Sequence, residues 1–395
     1  MKTVLLSGAA LILSLACLPA TAVDEPAESR PAGTWLSVSL NLFVNPDRAQ
    51  AIWFDHKYLG KDSSRRDVWL IDIAGKTARK LFTLPLSLKP DGYNVHEYAA
   101  LTEDEKYLLL DQELQDGEKT DGRGMNLMQQ GDKKWRHVYL RRNVYALPLE
   151  YTGEVEAVRI TKDVGDHSAW TYDAVTKKVC AITAQKGKEG LVAYTLDGKR
   201  AALWGMQPPP PKGVNTGNSI DWGFSLRQHL CWMEDRAFAI AGQFDVICFS
   251  ADAPAPTVEW GHEKFSSKAK VKLPAVVPQN CSFTLGALAP TSDRKGLLLF
   301  LRVFTQGNEP QRVSGQLLLL DKIDGGTWRK VGDLPSIQVH APHTLCASAD
   351  GTKAWIINNR GSGTSFVSQV DLKTGKLTNV WASDDIEKIA SNLAK

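Results

Sequence analysis

Charge of one sign is scarce in this sequence: 47 Lys and Arg stand against 44 Asp and Glu, a formal net charge of +3 at pH 7. No basic run dominates, so the electrostatic footprint of a nucleic-acid binder is missing and nucleic acid is excluded as a partner. Cysteine is sparse and, beyond residue 22, odd in number: Cys180, Cys231, Cys248, Cys281 and Cys346. Four of these lie in apolar strand-like runs. Buried free thiols are therefore expected in place of a disulfide framework, with Cys281–Cys346 the one pairing left open. Past the first residues no stretch approaches the ~20 apolar residues of a membrane-spanning helix, and no span is expected. Several catalytic signatures are also missing. There is no G-x-S-x-G elbow, and His96-Glu97 is followed by Ala100 where a zinc helix would carry a second histidine. Neither a Walker loop nor a dinucleotide glycine pattern occurs.

What is present begins with a leader. Lys2, the apolar run from Val4 to Leu18 and Pro19-Ala20-Thr21-Ala22 read as a secretory signal cleaved after Ala22. Leu15-Ala16-Cys17 offers a lipoprotein box as the alternative, but Ser14 stands where that box has Leu. A periplasmic or extracellular monomer is expected. Residues 23–34 read as a disordered linker ahead of a folded region at 35–382.

That folded region carries one turn written six times. Each copy is a short polar stretch between apolar runs, marked by Asp47, Asp104, Thr176, Asp235, Asp293 and Asp350. The steps between them are 57, 72, 59, 58 and 57 residues. Strand-like runs flank every turn, which predicts an all-β, six-bladed β-propeller; a seventh blade built from the connector at 263–279 is the alternative. The last repeat shows a whole blade: His343 to Ser348, Ala354 to Asn358, Ser365 to Leu372 and Leu377 to Trp381, joined by Asp/Gly/Lys turns. The wide second step is ascribed to a loop inserted at 115–136. Tryptophans at 53, 69, 204, 260, 328 and 381 fall at blade-like positions and are expected to pack between blades. Residues 383–395 follow as a short helix, capped by Ser383, with Ile386, Ile389, Ala390 and Leu393 on one face.

The stretch Asp67-Val68-Trp69-Leu70-Ile71-Asp72-Ile73-Ala74-Gly75-Lys76 resembles the third- and fourth-strand signature of TolB-like, WD-type propeller repeats. Asp166-His167-Ser168-Ala169-Trp170-Thr171-Tyr172-Asp173 resembles their inner strand. This resemblance implies the propeller fold and leaves function open, because such propellers serve as scaffolds, peptidase domains and sugar-active enzymes. A narrower resemblance lies in Gln338-Val339-His340-Ala341-Pro342-His343, which is similar to the metal-binding stretch of the oligogalacturonate lyase family. It implies a divalent metal such as manganese on Gln338, His340 and His343.

In a propeller the starts of the inner strands converge on the central channel. Ten residues before Lys106, Lys178 and Lys353 stand His96, Ser168 and His343, all at one register. His167 lies beside Ser168, and Arg227 and Ser282 occupy corresponding stretches of other blades. Imidazole can hold a metal or move a proton near neutral pH, and guanidinium can clamp a carboxylate. The leading expectation is thus a propeller binding a small carbohydrate or a protein partner at its channel mouth. The alternative is a metal-assisted polysaccharide lyase of the oligogalacturonate type. Blade-to-blade hydrogen bonding by these same polar residues is the bland counterpart of both.

Overall fold

The computed structural model describes residues 34–39, 41–60, 63–84, 98–114, 125–128, 135–138, 141–151, 157–161, 166–185, 188–207, 230–233, 235–241, 244–253, 256–261, 269–273, 281–305, 313–335, 343–359 and 364–393. Its strands form six antiparallel blades around a channel. From one to six, the innermost repeat strands are Leu42–Asn45, Ala99–Leu101, Asp166–Asp173, Leu230–Met233, Cys281–Pro290 and Leu345–Ala347. Each leads through one marked turn into its blade's next strand, so all six markers occupy equivalent inner hairpins.

Three of these turns share a mechanism. In Thr102-x-Asp104, Thr291-x-Asp293 and Ser348-x-Asp350 the hydroxyl donates to the Asp at 2.7, 2.6 and 2.6 Å. The same Asp oxygens accept the backbone N–H of Lys106, Lys295 and Thr352. The residue after the marker then turns left-handed: φ is 52° at Glu105, 57° at Arg294 and 69° at Gly351. Only the last is glycine. A Cβ there would lie 2.6 Å from Ser292 Oγ, a hydroxyl that can rotate away, so it is the positive φ that favours Gly351.

Side chains of a strand alternate between its two faces, and here the two faces are two seams. Leu230 and Trp232 pack toward blade three, whereas Cys231 and Met233 pack toward blade five. Tryptophans fill these seams: Trp204 stacks on Trp232 at 4.6 Å, and Trp260 meets Trp328 edge-on at 5.6 Å. All five described cysteines are free, including Cys281 and Cys346.

Three features depart from the sequence reading. Residues 125–128 and 135–138 pair as a hairpin within the stretch expected to be a loop. Val271–Lys272, in the connector that offered a seventh blade, instead pairs parallel with Thr257–Gly261 as a fifth strand of blade four. Leu36–Ser39 adds a strand inside blade one, and Ser37 N–H donates to the His343 carbonyl at 2.8 Å, bridging blades one and six. Helix α1, Ser383–Leu393, carries Asp384 and Asp385 in its first turn, where the helix dipole favours them. It buries Ile386 and Ala390 against the same seam, joining strands of blades one and six.

Candidate functional site

The inner strands of blades three to six stand last in their sheets, so among the described residues each turns an edge with no neighbouring strand toward the channel. Their terminal residues, Thr171–Asp173, Leu230–Trp232, Leu288–Pro290 and Leu345–Ala347, wall a cavity of about 120 Å³. His343 lines it toward the strand starts, and Asp47, Asp173 and Arg294 line it toward the turns.

At the strand-start end, aromatic side chains pack against one another. The His343 imidazole stacks on the Tyr98 ring with centroids 3.7 Å apart and planes 15° from parallel. Tyr98 meets Trp170 edge-on at 4.9 Å, so one aromatic layer joins blades two, three and six. His343 has φ 56°, an uncommon conformation for a non-glycine residue, held by the Ser37 contact and by a hydrogen bond from its ring to the Trp170 backbone. Burial pushes its pKa down to about 4, opposed by that hydrogen bond and by the nearby Asp111. The imidazole is therefore neutral at pH 7. Tyr98 is buried and its hydroxyl is pushed well up by desolvation.

At the turn end, directional bonds tie the blades. Arg294 reaches from the blade-five turn to Asp173 on blade three, with Nη1–Oδ1 at 2.5 Å and Nη2–Oδ2 at 3.2 Å. Its Nη2 also donates to the Trp232 carbonyl of blade four at 2.8 Å, capping one exposed strand edge. Asp173 separately accepts the backbone N–H and the hydroxyl of Thr176. Tyr172 donates to Glu103 at 2.7 Å. Asp47 joins blade one to blade six, accepting Trp355 Nε1–H at 2.9 Å and Ala349 N–H at 3.1 Å. Beyond the mouth lies a surface groove of about 420 Å³ that includes Asp235, Arg236 and Asp324; Arg294 and Val175 line both spaces. Val175 is 54 % exposed, an apolar side chain on a rim rich in charged residues.

Of the residues singled out from sequence, His343 is fully described and lies against the channel. His96, Arg227, Gln338 and His340 lie outside the described residues. His167 and Ser168 are described in backbone only, in the inner strand of blade three, where the pairing register shifts between His167 and Ala169. Ser282 is likewise described in backbone, opposite Phe304 in blade five. Among the described residues no group of three or more His, Cys, Asp and Glu is placed to hold a metal. His343 fits one ligand position, since a neutral imidazole that donates from one nitrogen keeps the other as an acceptor. Sequence reasoning missed Asp173 and Arg294. Arg294 adjoins the Asp293 marker, but nothing in its spacing tells that it crosses to blade three. Tyr98 and Trp170 stand two residues after His96 and Ser168, so their shared register was a usable signal.

Among the described residues no helix is long and apolar enough to cross a membrane. The sequence matches no family model and no curated protein. Among solved structures, the chain is similar to a putative TolB from Agrobacterium tumefaciens, with 11 % identity over 80 % of this chain and 88 % of that one and a TM-score of 0.42. It is also similar to a manganese-bound oligogalacturonate lyase, with 12 % identity over 86 % and 75 % of the two chains and a TM-score of 0.45. A third is a putative 6-phosphogluconolactonase from Bacteroides uniformis, with 14 % identity over 83 % and 94 % and a TM-score of 0.38.

Proposed function

We propose that this protein is an exported binding module that takes a small ligand, or a segment of a protein partner, at the turn-side mouth of its central channel. The carrying observation is the contrast along the bore, where Tyr98, His343 and Trp170 form an aromatic layer at one end and a cavity lined by Asp47, Asp173 and Arg294 lies toward the other. Size narrows the reading. Pockets that engulf a drug-sized ligand run to roughly 300–1,000 Å³, whereas this cavity measures about 120 Å³. The ligand inserts one group or one end, and the surface groove carries its remainder. Exposed Val175, at the junction of the two spaces, is the apolar contact.

The test is photo-crosslinking in the native host. A benzoylphenylalanine at position 175 should give a defined adduct, and the same probe at Val380, on the outer strand of blade six, should give none. Equal labelling at both positions, or no adduct at 175, overturns the reading. N-terminal sequencing of the mature protein should begin at Val23 if the leader is a cleaved signal.

The neutral imidazole of His343 favours a second reading, metal-assisted elimination on a uronate. Gln338, His340, His343 and His96 would hold a divalent cation such as manganese, which would supply charge neutralisation at the substrate carboxylate. Stoichiometric metal in the purified protein, lost on His343→Ala without unfolding, is the outcome that would favour this reading over the first.

A further inference from the structure

We infer that Arg294 is a receptor for a terminal carboxylate, and that Asp173 is its built-in competitor. The inference rests on the turn-side reading above and names the chemistry of that site. Arg294 presents the planar fork that suits a carboxylate, and Asp173 already occupies it through two bonds, one from each terminal nitrogen to a separate carboxylate oxygen. The pair lies in the lining of the cavity, with side-chain exposures of 20 % for Arg294 and 8 % for Asp173. Apolar walls at Leu230, Leu288 and Ala289 strengthen any charge-assisted bond formed there.

What separates this pair from a simple strut is that each partner has a second anchor. Without Arg294, Asp173 keeps the N–H and hydroxyl of Thr176. Without Asp173, Arg294 keeps the Trp232 carbonyl. Opening an ordinary buried ion pair strands a charge; here each group gives up its counterion but keeps a neutral hydrogen-bond partner. The neighbouring guanidinium offers no equivalent, because Arg236 is held by both Asp235 and Asp324 on the exposed surface. Asp293 is tied into its own turn by Thr291 and Lys295 and does not compete for Arg294. An incoming carboxylate therefore meets one occupied fork at the junction of cavity and groove, and binding is an exchange of one carboxylate for another.

Competition gives the experiment a sign that a structural strut lacks. The probes are propionate, N-acetyl-dialanine with a free carboxylate, and the same dipeptide as its C-terminal amide, titrated by calorimetry into the full mature chain. Asp173→Asn should bind the free acid at least about tenfold more tightly than the wild type, Arg294→Gln should bind none, and no form should bind the amide. Preference for the dipeptide acid over propionate indicates a chain terminus, and the reverse a free small acid; either supports the inference. Equal affinity of wild type and Asp173→Asn, or binding of the amide, overturns it. The wild type provides a check independent of how the variants fold. The Nε–H NMR signal of Arg294 should shift on adding propionate and stay still with propionamide, and an unmoved signal overturns the inference. Adducts at position 175 together with an unmoved signal would leave the mouth as a binding site and remove only the carboxylate.

Discussion

At the strand-start end of the channel an imidazole, a phenol and an indole from blades six, two and three pack against one another. At the turn end, a guanidinium links blades three, four and five and a carboxylate links blades one and six through directional bonds beside a cavity. Both ends meet the same demand, since inner-strand edges expose backbone groups that need partners. His343 caps the backbone of Trp170 at one end and Arg294 caps that of Trp232 at the other. The means differ in what they allow afterwards. A packed layer cannot exchange its members without opening a void, whereas a polar bridge can trade one partner for another of the same charge.

The largest expected effect comes from breaking the packed end. Tyr98→Ala should cost about 3–5 kcal/mol in denaturant unfolding, because the ring is buried, stacked on His343 and edge-on to Trp170. A loss under about 1 kcal/mol would mean the layer does not hold this end together. The next effect is a pH slope. His343 titrates near 4 in the folded chain against 6.5 ordinarily. The unfolded chain therefore binds the extra proton first, and stability should fall as pH drops from ~6.5 toward 4, by at most roughly 3 kcal/mol. Unfolding curves of His343→Gln should lack that slope, and identical slopes in both proteins would remove burial of the imidazole as its cause.

The turn end should yield less. Arg294→Gln should destabilise by about 2 kcal/mol, less than loss of a fully buried pair, because Asp173 retains Thr176. A loss as large as that of Tyr98→Ala would make the two ends alike. The smallest effect is assigned to Val175→Ser, which should leave stability within about 0.5 kcal/mol while abolishing crosslinks from neighbouring rim positions.

Much of the fold was legible because a propeller repeats its grammar. Asp104, Asp293 and Asp350 recur with a hydroxyl two residues earlier, and each closes a hairpin by the same bonds. The short added strands were not legible. Val271–Lys272 is two exposed residues that become a strand only because Trp260 and Gly261 lie alongside. Leu36–Ser39 carries no turn marker, and its place depends on a free edge in blade one. The candidate site divided in the same way. His343 stood out by register and does border the channel, while Arg294 and Asp173 are 121 residues apart and share no pattern.

Local chemistry acts over a few residues, so the sequence by itself determined the turns, the alternation of strand faces and the amphipathic C-terminal helix. Their sixfold recurrence carried the propeller with them. Only the tertiary structure decided which end of the channel carries the aromatic layer and which holds the cavity. That outcome depends on how side chains from three separate blades meet around a shared axis, a distance relation that no spacing along the chain encodes.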